Sequence, residues 1–275
     1  MLRSVAIYSK EANPRTAEGI NRLINGFCSR GIRIYLCRRS ITIPGCSYTS
    51  LIESFDEISS LEQLPDLVLS VGGDGTFLET MLKVRDLGIP IGGVNAGRMG
   101  FLANISEGEI EHSVDLLCDG KYLIIERSLL EFRKPEGIFD RESSTALNEI
   151  TIQKADPSMI TINVYVDETY LNTYWADGLI VSTATGSTAY NLSVGGPILS
   201  PDDESLIISP ISPHNLTIRP IVISSASTLR MTVEGRSGEF IATCDFRSRR
   251  LPFREDICIA RSDRKLKTFM PEGMD

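Results

Sequence analysis

The sequence predicts an α/β N-terminal part built on a largely parallel sheet, followed by a β-rich, sandwich-like part. Three observations carry this. Strand-like and helix-like segments alternate through residues 1–103, which is the pattern of a parallel sheet covered by helices. After a helical stretch at 107–117 the texture changes to short segments of alternating polarity, the signature of antiparallel sheets packed face to face. At 275 residues the chain exceeds the usual single-domain size, and we divide it into 1–103 and 104–254.

The elements follow in order. Residues 4–8 form an apolar strand, and Asn13-Pro14 opens a helix. Ile20, Leu23, Ile24 and Phe27 of that helix recur at the spacing of one buried face, before Gly31 ends it. Residues 32–37 and 65–71 are further strands. A glycine turn leads into a second helix, whose face is Phe77, Leu78, Met81 and Leu82; Gly88 closes it and 89–94 is the next strand. In the second part, 160–166 alternates strictly and ends in Asp167-Glu168, as a strand entering a hairpin does. Segments 122–126, 149–153, 179–182, 206–209, 228–234, 240–243 and 257–260 read as strands as well.

Composition narrows the function. The 42% hydrophobic and 23% charged content is that of an ordinary globular protein, and no apolar run is long enough to span a bilayer. The N-terminal segment is too short and interrupted for a signal peptide, so a cytoplasmic location is expected. A net charge of −8 argues against general affinity for nucleic acid or anionic membrane; any phosphate ligand must be held by local geometry. Cys28, Cys37, Cys46, Cys118, Cys244 and Cys258 are scattered without a Cys-x-x-Cys pair and read as reduced thiols. With only His112 and His214 present, a histidine zinc site is not expected, and a carboxylate is the better general base.

The apolar strand ending at Val71 runs straight into Gly72-Gly73-Asp74-Gly75-Thr76. Glycines lack a Cβ, so backbone N–H groups approach an anionic oxygen closely, and the helix that begins near Thr76 adds the positive end of its dipole. Asp74 is repelled by phosphates unless it works there, taking a proton from a hydroxyl nucleophile or holding a metal; the alternative is an Asp that only caps the helix. The turn is not a dinucleotide fingerprint, since Leu78 stands where the third glycine belongs, and no P-loop is present. A second cluster, residues 175–197, surrounds an apolar strand with small and hydroxyl-bearing residues. There a flat ligand can lie against the backbone and Tyr190 can stack on a ring; the alternative is a Ser/Thr-rich turn capped by Ser187.

Taken together the motifs resemble the NAD kinase family along nearly the whole chain. They are Gly72-Gly73-Asp74-Gly75-Thr76, the segment 95–102, Asn148-Glu149, Asp177-Gly178, Thr185-Gly186-Ser187-Thr188-Ala189-Tyr190, Gly195-Gly196-Pro197, Pro213-His214 and Arg219-Pro220, in matching order. The resemblance implies a Rossmann-like α/β domain and a β-rich domain, the site between them, and a C-terminal tail, about 255–275, returning to the first domain. It implies phosphoryl transfer from ATP or another donor to the 2′-hydroxyl of the adenosine ribose of NAD, giving NADP. Mg²⁺ or another divalent cation would accompany the donor, with no direct protein ligand assigned, and the assembly would be a dimer or tetramer. Asp74 is then the catalytic base; Gly73, Gly75 and Thr76 lie at the phosphates; Asn148 and Glu149 neighbour the ribose and adenine; Asp177, Thr188, Ala189, Tyr190 and Ser193 are dinucleotide contacts. Glu149 is expected to accept from ribose hydroxyls.

Two other readings are open to the glycine turn: a lipid or sugar kinase sharing only that loop, and a catalytically silent NAD(P)-binding sensor. The sequence departs from the family at Ala184, where proline is usual, at Met99, where leucine is common, and at Cys244-Asp245-Phe246, where Asp-Gly is typical. A contact from Asp245 is left out of the expected set for that reason. Arg247, Arg249, Arg250 and Arg254 form the densest basic run, read either as a phosphate-neutralising patch or as a solvated hairpin.

Overall fold

The computed structural model describes residues 2–10, 13–38, 51–84, 86–96, 100–139, 144–236 and 238–273. Cys46 and Gly97-Arg98-Met99 of the expected set lie outside them. The chain forms two units, Met1–Glu126 with Leu266–Asp275, and Arg127–Lys265.

In the first unit, strands β1 (Ser4–Tyr8), β2 (Arg33–Cys37), β3 (Ile52–Phe55), β4 (Leu67–Gly72) and β5 (Ile91–Asn95) pair in parallel in the order β3-β2-β1-β4-β5. Helix α1 (Pro14–Cys28) starts where expected: Asn13 Oδ1 accepts from the amides of Arg15 and Thr16, and Pro14 needs no hydrogen-bond partner at that position. Its buried face is the one read from the periodicity, Ile20, Leu23, Ile24 and Phe27. Helix α2 (Asp74–Val84) starts at Asp74 itself. Helix α3 (Ile110–Cys118) belongs to this unit, whereas a division at 103/104 assigns it to the other; it packs on α1, with Val114 against Gly26 and Glu111 accepting from Arg22. The C-terminal strand, numbered β17 below (Ile257–Pro271), places Thr268 beside Ile91 of β5.

The paired glycines of β5 have separate causes. A side chain at Gly92 would meet the Phe269 ring, and one at Gly93 would fall 2.6 Å from the carbonyl oxygen of Leu102 and against the Ala103 backbone. Backbone cannot swing aside as a side-chain tip does, so Gly93→Ala forces residues 102–103 away from β5. We expect a loss of about 1–3 kcal/mol, read by chemical denaturation.

The second unit is a sandwich. One six-stranded sheet has the order β13-β12-β11-β8-β15-β16, all antiparallel, from β8 (Glu149–Lys154), β11 (Gly178–Thr183), β12 (Ser205–Ile211), β13 (Ile221–Ser224), β15 (Glu239–Cys244) and β16 (Arg247–Pro252). Facing it are β9 (Ile160–Val166), β10 (Thr169–Ala176), β14 (Leu229–Glu234) and the first residues of β17, with β6 (Tyr122–Lys134) and β7 (Thr145–Ala146). Inward residues of both sheets, among them Ile150, Ile152, Ile162, Val164, Val181, Ile208, Met231 and Phe240, form one continuous core. The β9–β10 turn is the expected hairpin: Asp167 and Glu168 take φ of 49° and 60°, and Arg230 holds Glu168 at 3.0 Å. Cys28, Cys37, Cys118, Cys244 and Cys258 are free thiols, and among the described residues no helix is long and apolar enough to cross a membrane.

Candidate functional site

In the first unit the expected residues Gly73, Asp74, Gly75 and Thr76 sit at the C-terminal end of β4. The carboxylate of Asp74 does not cap its own helix. Its Oδ2 accepts from the Phe101 amide at 3.0 Å, and its Oδ1 from the amides of Leu102 at 3.0 Å and Ala103 at 3.3 Å. Gly100 makes the approach feasible, since a Cβ there would collide with the Asp74 carboxylate. The turn thus presents a half-buried carboxylate, fixed in direction, between the exposed Gly73 and Gly75 and at the positive end of α2. A Cβ at Gly73 or Gly75 meets nothing within 4 Å, and neither residue has left-handed backbone. The backbone-angle reason for glycine at 75 therefore falls, leaving room for a ligand. Gly72 is different: a Cβ there would meet Thr76 Oγ1.

In the second unit Asn148-Glu149 opens β8, and the Thr185–Thr188 turn with the short helix α4 (Tyr190–Ser193) follows β11. The register Glu149↔Ser182 brings the two segments together. Thr183 N–H donates to the Asn148 carbonyl at 2.9 Å, Thr183 Oγ1 donates to the Leu147 carbonyl at 2.6 Å and accepts from Gly186 N–H at 3.0 Å. Gly186 lies so close to Asn148 that a Cβ would be 2.5 Å from its carbonyl carbon. The Tyr190 backbone is near enough to the Glu149 carboxyl group to pull its pKa down. Ser187 caps no helix: it is fully buried and bonds the Leu199 backbone, while buried Asn191 ties the turn to Ser187 and Pro197 carbonyls and to Ser209. Thr188, Ala189, Tyr190 and Ser193, the residues expected to touch a ligand, are accessible, as are their neighbours Leu192, Val194 and Gly195.

Asp177 is not part of that group. It precedes β11, whereas Asn148 and the Thr185 turn adjoin the strand's other end, about 20 Å away at the usual strand rise. Its carboxylate accepts from Lys154 at 2.7 Å.

Sequence reasoning missed two residues. Asp245, φ 50°, occupies the β15–β16 turn with a fully buried carboxylate. It accepts from the amides of Leu147 at 2.9 Å, Asn148 at 2.8 Å and Glu149 at 3.3 Å, with Arg247 at 3.7 Å. Its departure from the family's usual residues concealed it. Arg127 on β6 donates to Thr185 Oγ1 at 3.3 Å, and burial lowers its pKa; a lone Arg in a strand of mixed polarity offers no signal. The basic run disperses: Arg247 engages Asp245, Arg250 pairs with Glu239, and Arg249 lies over the Phe139 ring. Glu149 is buried, and that burial, then the Asp245 carboxylate, push its pKa up to about 8 against the pull of the Tyr190 backbone.

Residues 45–122 match the family described as ATP-NAD kinase N-terminal domain, and residues 147–270 the ATP-NAD kinase C-terminal domain. The chain is 41% identical over 234 residues to the NAD kinase of Cytophaga hutchinsonii, covering 85% of this chain and 78% of that one. It is 40% identical over 247 residues to the NAD kinase of Flavobacterium psychrophilum, covering 88% and 84%. Among solved structures, an NAD kinase from Archaeoglobus fulgidus in complex with ATP aligns with a TM-score of 0.76 at 25% identity, over 98% of this chain and 94% of that one. Yeast NADH kinase complexed with NADH gives 0.81 at 22% identity over 98% and 83%, a likeness of fold.

Proposed function

The chain belongs to the NAD kinase family, and on that premise we propose that it transfers the γ-phosphoryl group of ATP, or of another phosphoryl donor, to the 2′-hydroxyl of the adenosine ribose of NAD, forming NADP. The observation that carries this is the Asp74 carboxylate, aimed by three backbone amides beside two uncrowded glycines. A hydroxyl is a poor nucleophile until its proton leaves, and Asp74 takes that proton as the oxygen attacks in line. Gly73 and Gly75 offer N–H groups at a helix N-terminus to the donor phosphates, beside Thr76, whose own N–H is bonded to the Gly73 carbonyl at 3.0 Å. Asn148, Glu149, Thr188, Ala189, Tyr190 and Ser193 hold the dinucleotide. Asp177, paired with Lys154 at the far end of β11, serves a more distant part of the ligand.

A divalent cation, Mg²⁺ by preference, would come in on the donor's phosphates, whose charge it neutralises. We also propose a homo-oligomer, dimer or tetramer, and a cytoplasmic location, where NAD and ATP are both available. The lipid or sugar kinase and the silent-sensor readings find no support among the relatives.

Incubating the pure protein with Mg-ATP and NAD and assaying NADP tests the proposal; NAD binding without turnover would favour the sensor instead. Donor placement is tested at Gly75. Because a Cβ there meets nothing of the protein, Gly75→Val should melt as the native protein does yet need about tenfold more ATP for half-maximal rate. Unchanged ATP kinetics would place the phosphates elsewhere.

A further inference from the structure

Glu149 and Asp245 are two buried carboxylates in contact through one short stretch of backbone, and their surroundings are unequal. Asp245 takes the amides of Leu147, Asn148 and Glu149 and has Arg247 beside it. Glu149 has the weaker pull of the Tyr190 backbone, and its Oε2 is buried without a hydrogen-bond partner. Burial raises the pKa of both, and at Asp245 the three amides and Arg247 pull against that rise; two neighbouring buried carboxylates do not both ionise, so the one with more donors holds the charge and the other holds the proton. We propose that Glu149 meets the dinucleotide as an undissociated acid, donating its carboxyl proton to an acceptor atom of the ribose or base, with Asp245 as the positioning residue that keeps it so. This rests on the assignment of Glu149 to the dinucleotide site, and it reverses the expected direction of that hydrogen bond.

The neighbouring groups agree. Across β11 stands Ser182; on β15 the Cys244 thiol, opposite Ile150 and pushed far up by burial, is uncharged. Tyr190 presents its backbone, and Arg127 is directed at Thr185. Lys154 lies at the other end of β8, about 17 Å along the strand, and is engaged by Asp177. Burial, then Asp245, raise the Glu149 pKa to about 8, so the acid form prevails at neutral pH and is lost above it.

Calorimetric titration with NAD from about pH 6.5 to about pH 9.5 decides the matter, with folding checked at each pH by circular dichroism. In the native protein the affinity should hold to about pH 8 and then fall toward tenfold per pH unit, about thirtyfold in all by pH 9.5. Glu149→Gln, whose amide can donate but cannot ionise, should bind a few-fold more weakly at pH 6.5, show no fall, and cross above the native curve at high pH. In Asp245→Asn the fall should move to lower pH, which a merely structural loosening would not do. A flat native curve, or a fall that survives in Glu149→Gln, overturns the proposal. If Glu149→Ala binds NAD like the native protein at every pH, Glu149 is not in the site, and the assignment beneath the proposal fails with it.

Discussion

Asp74→Asn should lose about 10²–10⁴-fold in turnover while still binding NAD, because an amide cannot accept the 2′-hydroxyl proton. The substitution also has a structural side. One carboxylate oxygen becomes an NH₂ group facing amides that need acceptors, so the hold on residues 101–103 weakens too. Gly100→Ala separates the two effects, since its Cβ would push on the carboxylate while leaving the base chemically intact. If proton transfer is the role of Asp74, Asp74→Asn falls far below Gly100→Ala in turnover at similar melting temperatures. Equal losses would make Asp74 a latch for the 100–103 segment, and turnover in Asp74→Asn within tenfold of native would reject the base.

The strand–helix alternation of the first unit was legible because its strands are buried apolar runs and its helix faces are regular; α1 starts at Asn13-Pro14 and buries the face read from its periodicity, though it ends at Cys28, before Gly31. Strands β3 and β13 were not anticipated. Each is a four-residue edge strand with at most one buried residue, too short to show the alternation by which strands are recognised. The glycine turn stood out because chemistry dictated its composition. What composition could not convey was that Asp74 is held by residues 101–103, or that Asp245 reaches back to 147–149 across nearly a hundred residues of chain. Such contacts depend on tertiary pairing. The same holds for Glu149: an acidic residue in sequence reads as an anion, and only burial beside a second carboxylate gives it a proton.

Gly186→Ala should abolish most NAD binding without touching the donor side. The Cβ would strike the Asn148 carbonyl group, and both segments are buried, so neither a rotamer change nor solvent can absorb the overlap. Either the 185–190 turn lifts, taking the Gly186 amide from Thr183 Oγ1, or Asn148 moves off the Thr183 amide. Each breaks the link between the two segments assigned to the dinucleotide. Loss of one hydrogen bond to a charged or strongly polar partner is worth about 1.5–3 kcal/mol, a ten- to over a hundredfold fall in affinity. Overpacking will lower stability as well, by about 1–3 kcal/mol, so a matched control is needed. Gly196→Ala supplies it: its Cβ would meet the Asn191 side chain, which buttresses the same turn without contacting Asn148. Calorimetry should find NAD affinity far lower in Gly186→Ala than in Gly196→Ala at comparable loss of melting temperature, with the ATP requirement of both near native. Were the two variants to lose NAD affinity equally, the contact between Gly186 and Asn148 would matter only for holding the turn together, and the dinucleotide would have to be recognised by other residues.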